Sequence, residues 1–126
     1  MPTLPIISIV DDDESVRIAV GSFIRSLGFT VRTFPSAEEF LASPVLDETS
    51  CLISDVQMPG MSGLELQKAL LARQSRVPVI FITAFPDDGV RRRAEAGGAV
   101  GFLSKPFEVE AMIAHLNAAL GLRPGS

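Results

Sequence analysis

Cys51-Leu52-Ile53-Ser54-Asp55-Val56-Gln57-Met58-Pro59-Gly60 decides how the rest of this chain is read. A short apolar run bounded by turn residues reads as a buried strand, and this one carries a single carboxylate, Asp55, to its C-terminal tip just before a Pro-Gly turn. Two other apolar runs end in the same way, Ile6 to Val10 in Asp11-Asp12-Asp13 and Val77 to Ile82 in Thr83. A fourth, Val100 to Leu103, runs into Ser104-Lys105-Pro106. In a parallel sheet, all four tips meet at one edge.

Between these runs the apolar period changes from strand to helix. From Ser15, the positions Val16, Ala19, Val20, Phe23, Ile24 and Leu27 recur at helical spacing, and Gly28 supplies a left-handed stop. Phe29 to Phe34 alternates, which suits an edge strand. Ser36-Ala37-Glu38-Glu39 is a capping-box pattern opening a short second helix, and Pro44 closes it. Ser62-Gly63-Leu64-Glu65 is a second such pattern, predicting a helix from Leu64 to Gln74. The fourth helix is the weakest: Pro86 suits a first-turn position and Asp87 and Asp88 suit the positive dipole end, but Gly89 costs about 1 kcal/mol against Ala. Gly97-Gly98 ends it, and Val109, Met112, Ile113, Leu116 and Leu120 give the last helix its stripe. Strand then helix, five times over, predicts an α/β fold with a parallel sheet covered on both faces.

Composition narrows the classes. The 126 residues fit one domain, expected as a folded unit over residues 1–120 with a flexible tail or linker stub over 121–126. A net charge of −4 without a long basic run gives no electrostatic footprint for direct nucleic-acid contact. No apolar run approaches the roughly 18 residues of a membrane span, and no leader pattern opens the chain, so a cytoplasmic location is expected. The single cysteine, Cys51, opens a strand and reads as a packed core thiol, with a redox role the alternative.

The carboxylates at the strand tips pose an electrostatic problem. Two unit charges about 4 Å apart at an effective dielectric near 20 repel by roughly 4 kcal/mol, and three such pairs would rival the total stability of a domain. A raised carboxyl pKa, a cation from the chain or a bound metal must offset this. Lys105, one of only two lysines, stands at a strand end from which it reaches the cluster. A hard divalent ion would complete the site, because Mg²⁺ accepts one or two carboxylates with waters and a phosphoryl oxygen. Taken singly, each residue has an ordinary reading: Asp11 to Glu14 as helix capping, Asp55 as a turn acid, Thr83 as a strand hydroxyl, Lys105 as a surface turn. Together, each at the end of an apolar strand, they point to a site.

These same strings carry a family resemblance. Ile9-Val10-Asp11-Asp12-Asp13-Glu14, Ser54 to Gly63, Ile82-Thr83-Ala84 and Leu103-Ser104-Lys105-Pro106-Phe107 resemble the receiver domain of bacterial two-component response regulators, over roughly residues 5 to 120. Ser36 to Leu41 and the Met-Ser-Gly-Leu-Glu run resemble the FixJ-like subgroup. The resemblance implies a flavodoxin-like, CheY-like doubly wound sheet of five parallel strands in order 2-1-3-4-5 with five helices. It implies that Asp55 accepts a phosphoryl group from a histidine kinase or phosphotransfer protein. Asp12 and Asp55 would ligate Mg²⁺ (or Mn²⁺) directly, Asp11 through water and Gln57 through its main-chain carbonyl. Lys105 would pair with the phosphoryl oxygens, Thr83 would swing its hydroxyl onto them, and Phe102 would turn inward behind it. The surface of helix 4, strand 5 and helix 5 would then change for an output domain or partner, or for a phosphorylation-dependent homodimer. A cis Lys105-Pro106 bond is also implied.

Some positions depart from the family pattern. Gly97 replaces the usual small residue before the Gly-Ala turn and adds backbone freedom, and Phe85 is a bulky rim residue opposite Gln57. Phe85 reads either as a cover over the phosphoryl pocket or as packing under helix 4. Arg91-Arg92-Arg93 spans about 200° of helix surface, as a solvated or snorkelling face or as a docking patch. Two other functions are weighed. A phosphohydrolase with an aspartyl-phosphate intermediate usually carries a second acid two residues after its nucleophile, where this chain has Gln57; a pseudo-receiver would not need the complete Asp, Thr and Lys set.

Overall fold

The computed structural model describes residues 5–121. Leu122 to Ser126, most of the expected tail, lie outside the described residues. Five parallel strands form one sheet: β1 (Ile6–Val10), β2 (Thr30–Phe34), β3 (Cys51–Asp55), β4 (Val79–Thr83) and β5 (Gly101–Ser104), in the order β2-β1-β3-β4-β5. Helices α1 (Glu14–Ser26), α2 (Ala37–Ala42), α3 (Gly63–Ala72), α4 (Asp88–Ala96) and α5 (Val109–Leu120) connect and follow them. This is the expected doubly wound architecture, and β2 is the expected edge strand.

The sheet separates two cores. On one face Val20 and Ile24 of α1 and Met112 and Leu116 of α5 pack on Ile7, Ile9, Cys51, Ile53, Ile80 and Ile82. On the other, Phe40, Leu66, Leu70 and Ala94 of α2, α3 and α4 pack on Val10, Leu52, Val79 and Phe81. The central strands β3 and β4 are buried along their whole length, which explains why they read as apolar runs rather than as alternation. Cys51 sits in the first core, where burial pushes its thiol up to about 12, so it is a packing residue and not a reactive one. Among the described residues, no helix is long and apolar enough to cross a membrane.

Several boundaries differ from the sequence reading, each for a local reason. α1 begins one residue earlier than expected, because Asp13 is its N-cap and accepts the Ser15 and Val16 N–H groups. Only half of the first capping box forms: Ser36 Oγ accepts the Glu39 N–H at 3.1 Å, but the Glu39 carboxylate meets the Ser36 hydroxyl instead of returning to the backbone. The box at Ser62 and Glu65 is complete. Pro44–Glu48 is a 3₁₀ turn that the pattern did not reveal, started by Pro44 and by Ser43 Oγ accepting the Val45 N–H. α3 stops two residues short of Gln74, which itself takes a left-handed φ of 60°. Pro86 lies outside α4, whose N-cap is Asp87, accepting the Val90 N–H at 3.0 Å.

Candidate functional site

Parallel pairing brings the strand tips together. Val10 of β1 lies beside Ser54 of β3, and Asp55 lies beside Ile82 of β4, so Asp11, Asp55 and Thr83 follow one another across the C-terminal edge of the sheet. One carboxylate oxygen from each of Asp11, Asp12 and Asp55 lies within 4.8 Å of the other two. Asp11 and Asp55 are buried, whereas Asp12 is exposed and opens the cluster to solvent.

Lys105, just beyond β5, reaches over this edge as expected. Its Nζ is 2.9 Å from Asp11 Oδ2 and 3.5 Å from Asp55 Oδ2, so the closer partner is Asp11 and not the phosphoacceptor candidate. Burial pushes the Lys105 ammonium down, but the hydrogen bond to Asp11 and the charges of Asp55 and Asp11 outweigh it, leaving the pKa above its ordinary value. Asp55 is also held above the usual carboxylate value. Burial is the main cause and the Asp11 charge adds to it, while the Lys105 charge and the backbone N–H groups of Gln57 and Val56 pull the other way. Two of the three offsets expected from the sequence, a raised carboxyl pKa and a cation from the chain, are therefore both present. The Lys105-Pro106 bond is cis, as expected.

Two supports of Asp11 escaped the sequence reading. Asp11 Oδ1 accepts the Asp13 N–H at 2.9 Å, and Arg17 Nη1 donates to the Asp11 backbone carbonyl at 2.7 Å. The signal for the second was an arginine one turn into the helix after the acidic run, facing back toward it. Asp11 is thus tied at its side chain and backbone before any ligand arrives.

The remaining residues surround this edge. Thr83 is buried and its Oγ1 accepts the Phe85 N–H at 3.0 Å, so its hydroxyl is held within its own loop. Phe85 is 69% exposed, which removes packing under α4 as its role. Gln57 is exposed in the loop leaving Asp55. Phe102 is partly buried on β5 beside Phe81, with the Arg91 guanidinium 5.4 Å from its ring centroid. Of the arginine triplet, Arg91 therefore lies over the β5 aromatic in a cation–π arrangement.

The chemistry of the donor set suits a hard cation. Three carboxylates, one of them solvent-facing, offer oxygen ligands and room for water, as Mg²⁺ requires, and there is no imidazole or thiolate among them to favour a softer metal. The buried carboxylate can act as an oxygen nucleophile, with the Lys105 ammonium at hand to meet negative charge on the group it attacks.

Comparison with known proteins bears on the family and the fold. The profile of the response regulator receiver domain family matches residues 7–117. Nodulation protein W of Bradyrhizobium diazoefficiens is 44% identical over 117 residues, which cover 93% of this chain and 52% of that protein. The solved structure of the response regulator StyR superposes with a TM-score of 0.87 at 42% identity, covering 94% of this chain and 60% of that one. That of FixJ-N superposes with a TM-score of 0.85 at 34% identity and covers 100% of both chains. The chain spans about half the length of the curated relatives it matches.

Proposed function

This chain belongs to the receiver domain family of two-component response regulators, and from that premise we propose that it is a phosphorylation-activated switch whose phosphoacceptor is Asp55. The observation that carries the reading is the position of this one buried carboxylate, 3.5 Å from the Lys105 ammonium and within 4.8 Å of the Asp11 and Asp12 oxygens. A histidine kinase or phosphotransfer protein is the donor. A carboxylate oxygen of Asp55 attacks phosphorus, forming the O–P bond as the P–N bond of a phosphohistidine breaks and its electron pair returns to the imidazole. Lys105, already beside Asp55, turns to the phosphoryl oxygens while Asp11 remains held by the Asp13 and Arg17 bonds. Asp12 and Asp55, with Asp11 through water and the Gln57 carbonyl, would hold Mg²⁺, which would supply positive charge against the phosphoryl oxygens.

The readout begins at Thr83. Its hydroxyl gives up the Phe85 N–H for a phosphoryl oxygen, and Phe102 turns inward behind it, away from Arg91. The surface of α4, β5 and α5 then differs for an output partner or a second copy of the chain. The half of each curated relative that this chain does not span, together with names such as transcriptional regulatory protein FixJ, supports an output in transcription. Phe85, exposed two residues past Thr83, where the family resemblance sets a rim residue opposite Gln57, limits the water that would hydrolyse the aspartyl phosphate.

Incubation with Mg²⁺ and a small phosphodonor, followed by intact-mass and peptide analysis, tests this. A single lasting phosphate on Asp55 is expected, absent from Asp55→Asn. Steady turnover without accumulation would identify a phosphohydrolase, and no labelling a pseudo-receiver. In the same assay Phe85→Ala should lose its phosphate faster than wild type, on the order of tenfold for about 1.4 kcal/mol of barrier. Unchanged or slower decay would remove Phe85 from the rim role.

A further inference from the structure

The loop from Asp55 to α3 is tethered by a residue of the Ser36 to Leu41 string that lies outside the acidic cluster. Glu38, the second residue of α2, extends its Oε2 to the Met61 N–H at 3.2 Å, across 23 residues of chain. Beside it Gly60 has φ +75°, and a Cβ built there would stand 2.7 Å from the same Oε2. The carboxylate therefore bonds the loop backbone at Met61 and occupies the space that a side chain at position 60 would enter, where the positive φ also favours glycine. The tether has a firm base. Ala37 and Phe40, on either side of Glu38 in α2, are fully buried, Phe40 packs edge-on against Phe34 with ring centroids 5.2 Å apart, and Ser36 caps the helix.

The loop it holds needs such a support. Its start is fixed by Asp55 in β3 and its end by the Ser62–Glu65 capping box, but Gln57, Pro59 and Gly60 between them are exposed. Gln57, two residues from Asp55, lies in this exposed part. We infer that Glu38 is a positioning residue for the phosphoacceptor pocket: by accepting the Met61 N–H it holds the loop so that the Gln57 carbonyl stays aligned with the acidic cluster. This rests on the receiver reading above. Its further consequence is that α2 and the pocket are mechanically joined, so that a change at either is felt at the other.

Calorimetric titration of the metal-free protein with Mg²⁺ provides the test, with amide hydrogen exchange at Met61 as a second readout independent of phosphorylation. Glu38→Ala should weaken Mg²⁺ binding by about fivefold, less than the loss typical of a residue that contacts a metal ligand directly, and should speed exchange at Met61. Glu38→Gln retains an acceptor oxygen without the charge and should restore both to near wild-type values. Glu38→Ala binding Mg²⁺ as wild type does would overturn the inference; so would Glu38→Gln losing as much as Glu38→Ala, which would reduce the effect to a missing charge. A wild-type protein that binds no Mg²⁺ would instead overturn the receiver reading itself.

Discussion

At Asp55 the same burial that makes a useful nucleophile makes a poor contributor to stability. Its carboxyl pKa in the folded protein is raised above the ordinary value of 3.8, by burial first and by Asp11 second. A group raised in this way contributes stability that is fully present below the unfolded pKa and is lost as pH rises through the folded one. In metal-free protein at neutral pH, the charged form is therefore a burden that Asn does not carry, while Lys105 keeps its 2.9 Å contact with Asp11. Asp55→Asn is expected to melt several degrees above wild type at pH 7 in chelator, with the gap closing as pH falls through the raised folded pKa and gone below the ordinary value of 3.8. Equal melting temperatures at pH 7, or a gap that widens in acid, would contradict this account.

The element most altered in meaning by the structure is α4. Gly97 was expected to lend backbone freedom, yet its φ is −82°, an angle open to any residue. What matters is the missing side chain: a Cβ at position 97 would lie 2.5 Å from Gln67 Oε1 and 2.6 Å from its Cδ. Gln67 is a buried residue of α3 whose Nε2 donates to the Ala94 carbonyl at 2.9 Å, so the amide binds the last turn of α4 to its neighbour. Gly97→Ala should destabilise the protein by about 1–3 kcal/mol in urea unfolding, through overpacking and a displaced buried amide. Adding Gln67→Ala should recover part of that loss, because the two residues share one contact. Strictly additive losses would show that the contact is not the cause. Among the described residues, the other end of α4 has no comparable bond to α3, only its own Asp87 cap, so movement of the helix is expected to pivot about the Gln67 end.

For the whole molecule, the acidic cluster exists only when β1 and β3 are paired, since Asp11 and Asp12 follow one strand and Asp55 ends the other. An ion that binds the folded state alone stabilises it with occupancy, by about 2.7 kcal/mol at a hundredfold excess over its dissociation constant. Millimolar Mg²⁺ should therefore raise the melting temperature of the wild type, and Asp55→Asn should show a smaller rise. Identical melting in Mg²⁺ and in chelator would exclude a folded-state site. Together with the pH experiment this separates the two roles of Asp55, a cost when bare and a gain when neutralised.

The order of elements, the burial of β3 and β4 and the gathering of Asp11, Asp55, Thr83 and Lys105 at one edge were legible in the sequence. Each follows from a period, a cap or a run that a few neighbouring residues determine. The strand order 2-1-3-4-5 came from the family resemblance and is borne out by the pairing. What the sequence left open was decided between segments distant in the chain. Lys105 lies closer to Asp11 than to Asp55, Arg91 lies over Phe102, Glu38 holds Met61 and Gln67 occupies the space a side chain at 97 would need. Such contacts depend on where packed elements finally stop, to within a few tenths of an ångström, and no local pattern of residue types encodes that distance.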